Sequence, residues 1–125
     1  MSEIRQLVVF SLAGEDYALP IAAVSEIIRY TPPRSVAADE PEIRGVIGLR
    51  GKIVPVIDLG AADPGKIVIV ERSTGQVGVI VEDVDEVRTI TPEQLEVVPT
   101  TGDTIAKLDD RLVLLLEPES LLAPV

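Results

Sequence analysis

Apolar positions along this chain fall in short blocks cut by Gly, Pro, Asp and Thr. The blocks include "LVVFSL" (Leu7–Leu12), "YALPI" (Tyr17–Ile21), "GVIGL" (Gly45–Leu49), "KIVPVIDL" (Lys52–Leu59), "KIVIV" (Lys66–Val70), "VGVIV" (Val77–Val81) and "RLVLLL" (Arg111–Leu116). They are shorter than ordinary helices and rich in β-branched residues, which pack well on a pleated surface, so each reads as a strand. Two segments read instead as single helical turns: Pro92–Leu95, with Thr91 as N-cap and Pro92 at the first helical position, and "PESLL" near the end. The longest loop is Tyr30–Ile43, which Pro32 and Pro33 keep extended.

The blocks repeat. Residues 66–87 lie over residues 6–27 at an offset of 60: Leu7–Phe10 over Ile67–Val70, the turn Gly14–Asp16 over Thr74–Gln76, and Tyr17–Ile21 over Val77–Val81. "VSEI" (Val24–Ile27) matches "VDEV" (Val84–Val87), and at an offset of 59 "LRGKIVPVID" (Leu49–Asp58) lies over "LDDRLVLLLE" (Leu108–Glu117). Each half is therefore expected to run strand, turn, strand, short φ-x-E-φ strand, loop, and strand-corner-strand. Short strands at this spacing predict an all-β fold of two small closed or half-closed barrels. One half of about 60 residues is marginal alone, so halves 1–60 and 61–125 are expected to pack on one another as a single domain, joined by the short "GAADPG".

Composition narrows the chemistry. The core must be aliphatic, because Phe10, Tyr17 and Tyr30 are the only aromatic residues among 125. With no cysteine and no histidine, the chain lacks disulfides, thiolate nucleophiles, His-ligated zinc and the commonest general base. A net charge of −10 disfavours nucleic acid as a partner. No apolar window approaches the roughly 20 residues that span a bilayer, so direct membrane insertion is not expected. The N-terminus, with Glu3 before a short apolar run, is a poor signal peptide and a good first strand, which makes a cytoplasmic protein the expectation.

No G-x-S-x-G elbow and no phosphate loop are present, and no pair of acids is marked out for catalysis, so an enzyme is not expected and no cofactor is implied. The acidic run Glu82-Asp83-Asp85-Glu86 could hold a cation or small ligand, but strand alternation would point its carboxylates to opposite faces. Glu26 and Arg50 carry more interest. Glu26 is expected to be the outward residue of a strand whose Val24 and Ile28 face inward. Arg50 occupies a hairpin corner that would ordinarily take Asn or Asp before Gly51. The matching corner of the second half has Asp109 and Asp110 at these positions, so turn geometry does not demand an arginine, and the corner reads as a device that presents one.

The segments "FSLAGEDYALPIAAVSEIIR", "IRGVIGLRGKIVPVIDL", "VGVIVEDVDEVRTIT" and "LDDRLVLLLEPESLL", in that order, resemble the CheW-like domain across nearly the whole chain. The resemblance implies two SH3-like β-barrels with a shared core. It also implies a non-catalytic scaffold of bacterial chemotaxis that couples the cytoplasmic tip of a chemoreceptor to the regulatory domain of a CheA-type histidine kinase. Carried over position by position, it marks Val24, Glu26 and Ile27, then Gly45, Arg50 and Gly51, and in the second half Gly78, Val84 and Val87, as partner-binding or partner-shaping. The chain departs from the family in the shortened segments "GAADPGK" and "TTGD" and in Gly48, where Asn is frequent. These trims leave open a divergent adaptor serving a two-component pathway outside chemotaxis.

Overall fold

A computed structural model of the chain describes residues 5–35, 43–109 and 111–121. Residues 36–42 of the predicted loop, Asp110 and the end of "PESLL" lie outside these residues. Each half opens with a hairpin: β1 (Arg5–Leu12) with β2 (Glu15–Pro20), and β6 (Lys66–Arg72) with β7 (Gly75–Val81). The φ-x-E-φ segments are β3 (Val24–Arg29) and β8 (Asp83–Ile90). The strand-corner-strand units are β4 (Ile43–Leu49) with β5 (Lys52–Asp58), and β10 (Thr104–Lys107) with β11 (Leu112–Leu115). One strand had no counterpart in the predicted pattern, the three-residue β9 (Leu95–Val97). The helical segments are 3-10 turns at Pro92–Gln94 and Pro118–Ser120, and a third, not anticipated, at Ile21–Ala23.

The strands form two sheets, ordered β8-β1-β2-β11-β10-β9 and β3-β6-β7-β5-β4. Neither sheet is a sequence half, which corrects the expectation that residues 1–60 and 61–125 each build their own barrel. Each N-terminal hairpin stays in one sheet, while the strands that follow it in its half, three in the first and four in the second, join the other. The physical reason is connection length. Only Glu82 separates β7 from β8, and only the Ile21–Ala23 turn separates β2 from β3. One residue is too few for a reversing turn, and the three of Ile21–Ala23 are held in a 3-10 turn and not a hairpin loop, so at both places the chain runs on into the neighbouring sheet.

Three apolar clusters follow. Leu7, Val9, Ala18, Ile90, Ala106, Leu108 and Val113 fill the barrel of the β1 sheet. Ile47, Val54, Val56, Ile67, Ile69 and Ile80 fill that of the β6 sheet. Between them lies a seam of Phe10, Leu19, Ile57, Val68, Val70, Val77, Val79, Val81 and Leu121. Strand β6 serves both sides, sending Ile67 and Ile69 into its barrel and Val68 and Val70 into the seam. This double burial explains its unbroken apolar run. Tyr17 stacks on Phe10 at 6.2 Å between ring centroids, opposite it in the β1–β2 register.

Gly78 is buried in the β6 barrel, where an added Cβ would sit 2.9 Å from Ile67 Cγ2 and 3.3 Å from Val56 Cγ2. The side chains around it leave no room. Gly78→Ala is expected to lower the stability of the fold by about 1–3 kcal/mol through overpacking, read by urea denaturation. A variant as stable as the parent would show that the barrel yields at this point.

Candidate partner-binding surface

The V-x-E-φ segments owe their geometry to a β-bulge. In β3, Val24 pairs with Val70 and Glu26 with Ile69, so Ser25 is the extra residue. In β8, Val84 pairs with Phe10 and Glu86 with Val9, so Asp85 is extra. A bulge turns residues two apart onto opposite faces. Val24 and Val84 consequently pack against the seam, while Glu26 shares a face with Ile28 at the mouth of the β6 barrel. The expectation that Glu26 faces away from both Val24 and Ile28 is half right: residues two apart share a face in regular pleating, so Glu26 stays with Ile28, and the bulge at Ser25 parts it from Val24.

Across that mouth stands Arg50. The corner between β4 and β5 is a two-residue turn with positive φ at both Arg50 (51°) and Gly51 (79°), the backbone of a type I′ hairpin. Gly51 adopts this conformation at no steric cost, whereas Arg50 does not. Its guanidinium forms a fork on Glu26, with Nη2 2.6 Å and Nε 3.0 Å from Oε2 and Nη2 3.1 Å from Oε1. Since β3 and β4 are the two edges of their sheet, this pair clasps the barrel shut. The Arg50 side chain is 75% exposed, so the pair adds at most about 1 kcal/mol.

The second barrel has the same clasp. Glu86, the repeat equivalent of Glu26, is bound by the guanidinium of Arg111, which also reaches Asp85 at 3.3 Å and Asp16 at 3.4 Å. Arg111 immediately follows the acidic corner, and Leu108 and Arg111 hydrogen bond across it. The second half therefore also brings an arginine to its glutamate, two positions later than Arg50 by the repeat, although its corner itself is acidic. The sequence signal was the matched glutamates, which called for a cation near both corners. The two clasps differ in exposure, since the Arg111 side chain is only 23% exposed.

The other expected site residues separate by position. Ile27 and Val87, repeat equivalents, are 39% and 51% exposed on the outward side of their edge strands. Gly45 is buried by close approach, because a Cβ there would lie 2.1 Å from the carbonyl oxygen of Arg34, whose backbone pairs with Val46. Gly78 is internal as well, so neither glycine offers a side of its own to a partner. Gly78 belongs to the β6 sheet and Val84 and Val87 to the β1 sheet, so these three do not share one surface. Sequence reading missed Ile53 and Leu112, which are 76% and 67% exposed and stand at matching positions just past the two corners. Their apolar character at equivalent positions of both halves was the available signal.

The acidic run is spent on internal partners. Glu82 accepts from the backbone N–H groups of Ala13 and Ala62, Asp85 from the Ser11 hydroxyl and Arg111, and Glu86 from Arg88 and Arg111. Among the described residues no three acids converge as they would around a metal ion. At the end of β5, Asp58 is half-buried, with its side chain turned inward. That burial would raise its pKa, but the backbone N–H groups of Gly60 and Ala61 and the Arg44 guanidinium outweigh it and hold the carboxyl below its ordinary 3.8. The stability Asp58 contributes is thus present above about pH 4 and lost as pH falls through the lowered value. Asp58→Asn is expected to flatten the acid limb of the stability profile in urea denaturation; an unaltered limb would mean that the carboxylate is not what pins the chain after β5.

Two SH3-like barrels on a common seam, each with an apolar residue displayed beside its Glu–Arg clasp, define a protein-binding module. Comparison with known proteins gives the family. The CheW-like domain profile matches residues 6–124, and the chain belongs to that family. The chemotaxis protein CheW of Klebsiella aerogenes is 32% identical over 136 aligned positions, covering 95% of this chain and 82% of that protein. The alignment is longer than the 125-residue chain, so the relative carries residues within the matched region that this chain lacks. The chemotaxis protein CheW of Bacillus subtilis is 29% identical, with 94% and 86% coverage. The crystal structure of the scaffolding protein TtCheW from Thermoanaerobacter tengcongensis superposes with a TM-score of 0.83 at 34% identity, covering 92% of this chain and 85% of that one. Among the described residues no helix is long and apolar enough to cross a membrane.

Proposed function

We propose that this chain is a non-catalytic adaptor of bacterial chemotaxis, joining the cytoplasmic tip of a chemoreceptor to the regulatory domain of a CheA-type histidine kinase. The observation that carries this reading is the CheW-like match over residues 6–124, in a chain with neither cysteine nor histidine for the commonest catalytic chemistry. Relatives named chemotaxis protein CheW and a structural neighbour called a scaffolding protein support it. An adaptor of this kind works in the cytoplasm and is recruited to receptor arrays at the membrane.

Within this reading Ile27 and Val87 are the apolar contacts, and Val24 and Val84 hold their strands against the seam. Gly45 and Gly78 shape the backbone beneath. Gly51 permits the corner, and Arg50 is the charged contact. Its forked pair with Glu26 is exposed enough for a partner carboxylate to take over the guanidinium, a planar donor suited to bidentate binding.

Arg50→Glu is expected to leave the fold intact, since the pair it breaks is on the surface, and to weaken coupling of kinase to receptor. Ile27→Ala or Val87→Ala is expected to weaken association by about 1–2 kcal/mol, as for a moderate interface hot spot. Co-sedimentation of receptor, kinase and adaptor, with kinase activation measured alongside, reads all three. Parent-like coupling in every variant would remove these residues from the interface, and loss of fold in Ile27→Ala or Val87→Ala would make that residue part of the core.

A further inference from the structure

The seam that joins the two barrels is wholly apolar: among the described residues no polar or charged residue is buried. Apolar contact is non-directional, so it holds the barrels together without by itself choosing one angle between them. Side-chain hydrogen bonds cross at its two ends, and at each end a glutamate accepts from the backbone N–H of a hairpin turn. At one end, a single oxygen of Glu82 accepts from Ala13 N at 3.1 Å and from Ala62 N at 2.8 Å. Ala13 belongs to the β1–β2 turn of one sheet, and Ala62 to the join from β5 to β6 of the other. Glu82 is itself the single residue by which the chain crosses between the sheets.

At the other end, Glu119 lies in the 3-10 turn that follows β11 of the β1 sheet. It accepts from Ser73 N at 2.9 Å and from the Ser73 hydroxyl at 2.7 Å, and Ser73 is in the β6–β7 turn of the opposite sheet. Arg72 reinforces this end by donating to the Leu121 carbonyl at 2.6 Å. The two ends are equivalent. Ala13 and Ser73 are the same turn position at the repeat offset of 60, and segments Gly60–Ala62 and Glu119–Leu121 correspond at 59. The carboxylates, however, are not equivalent. Ala22 stands at the counterpart of Glu82 and Gly60 at that of Glu119. Each hairpin turn receives a glutamate at the same amide from a different place in the chain, so the contact is preserved while its source is not.

We propose that Glu82 and Glu119 are paired latches that fix the angle between the two barrels. The latches act on the isolated protein and need no partner, so their test is independent of the adaptor reading. The angle they hold sets the relative position of Ile27 on one barrel and Val87 on the other, the two surfaces that a single partner would have to span.

The absence of cysteine permits the test directly. Spin labels at Lys52→Cys on the β6 barrel and Lys107→Cys on the β1 barrel report the inter-barrel distance by double electron–electron resonance. Glu82→Ala with Glu119→Ala is expected to broaden and shift that distribution, and each single alanine variant to do so in part. Glu82→Gln and Glu119→Gln keep an acceptor oxygen and are expected to retain the parent distribution. Circular dichroism establishes which variants fold, and the single variants decide the matter if the double variant does not. A parent-like distribution in the folded alanine variants overturns the proposal. So does loss of the fold in either single variant, since a surface latch that sets an angle leaves both barrels intact.

Discussion

The aliphatic seam formed by Phe10, Leu19, Val68, Val70, Val77, Val79 and their neighbours is the contact on which the other features rest. A small barrel buries only the inward face of its strands, and here the outward faces of β1, β2, β6 and β7 are covered by the opposite sheet. Burial of each large aliphatic side chain is worth about 1.5–3 kcal/mol as an upper estimate. The seam therefore outweighs any exposed ion pair, and a hairpin taken from either sheet would leave its Val or Phe face in water. Exchange of strands between the sheets follows from the same economy of chain: links of one and three residues carry β8 and β3 straight over the seam.

Those crossing strands then have two obligations. Each must supply a valine to the seam and, two residues later, a glutamate to the mouth of a barrel on the other face. Regular pleating cannot do both, and the bulges at Ser25 and Asp85 reconcile them. The glutamates meet arginines brought by the corner hairpins, Arg50 in one barrel and Arg111 in the other. Equal architecture does not give equal exposure. Arg111 is enclosed by three carboxylates, whereas Arg50 sits on a tight turn in open solvent. The closed clasp is largely enclosed by its own chain, and the open one leaves its guanidinium in solvent.

A surface built this way suits recognition. Glu26, Asp58, Glu82, Asp85, Glu86 and Glu119 are engaged by backbone N–H groups or arginines of the same chain, while Ile27, Ile53, Val87 and Leu112 stand out of the apolar interior at symmetric places. Such scattered aliphatic residues on rigid strand edges cost little entropy to dock, because the β-branched ones among them have few rotamers to lose.

Much of this was legible in the residues themselves. Short β-branched blocks specified strands, the offset of about 60 specified two equivalent halves, and the V-x-E-φ and R-G signatures marked Glu26 and Arg50. These are local patterns, set by side-chain shape and by which φ values a residue tolerates. What tertiary structure alone decided was partnership. Which hairpin completes which barrel depends on whether a link turns the chain back or carries it on, and no period in the sequence records that. The parting of Glu26 from Val24 depends on a bulge, which becomes visible only when β3 is set against β6 and Val24 is drawn to the seam. The equivalence of Arg111 to Arg50 was hidden because a side chain as long as arginine can reach the same glutamate from a position two residues away. Sequence alignment compares positions along a chain, while an ion pair requires only that the charged ends meet in space.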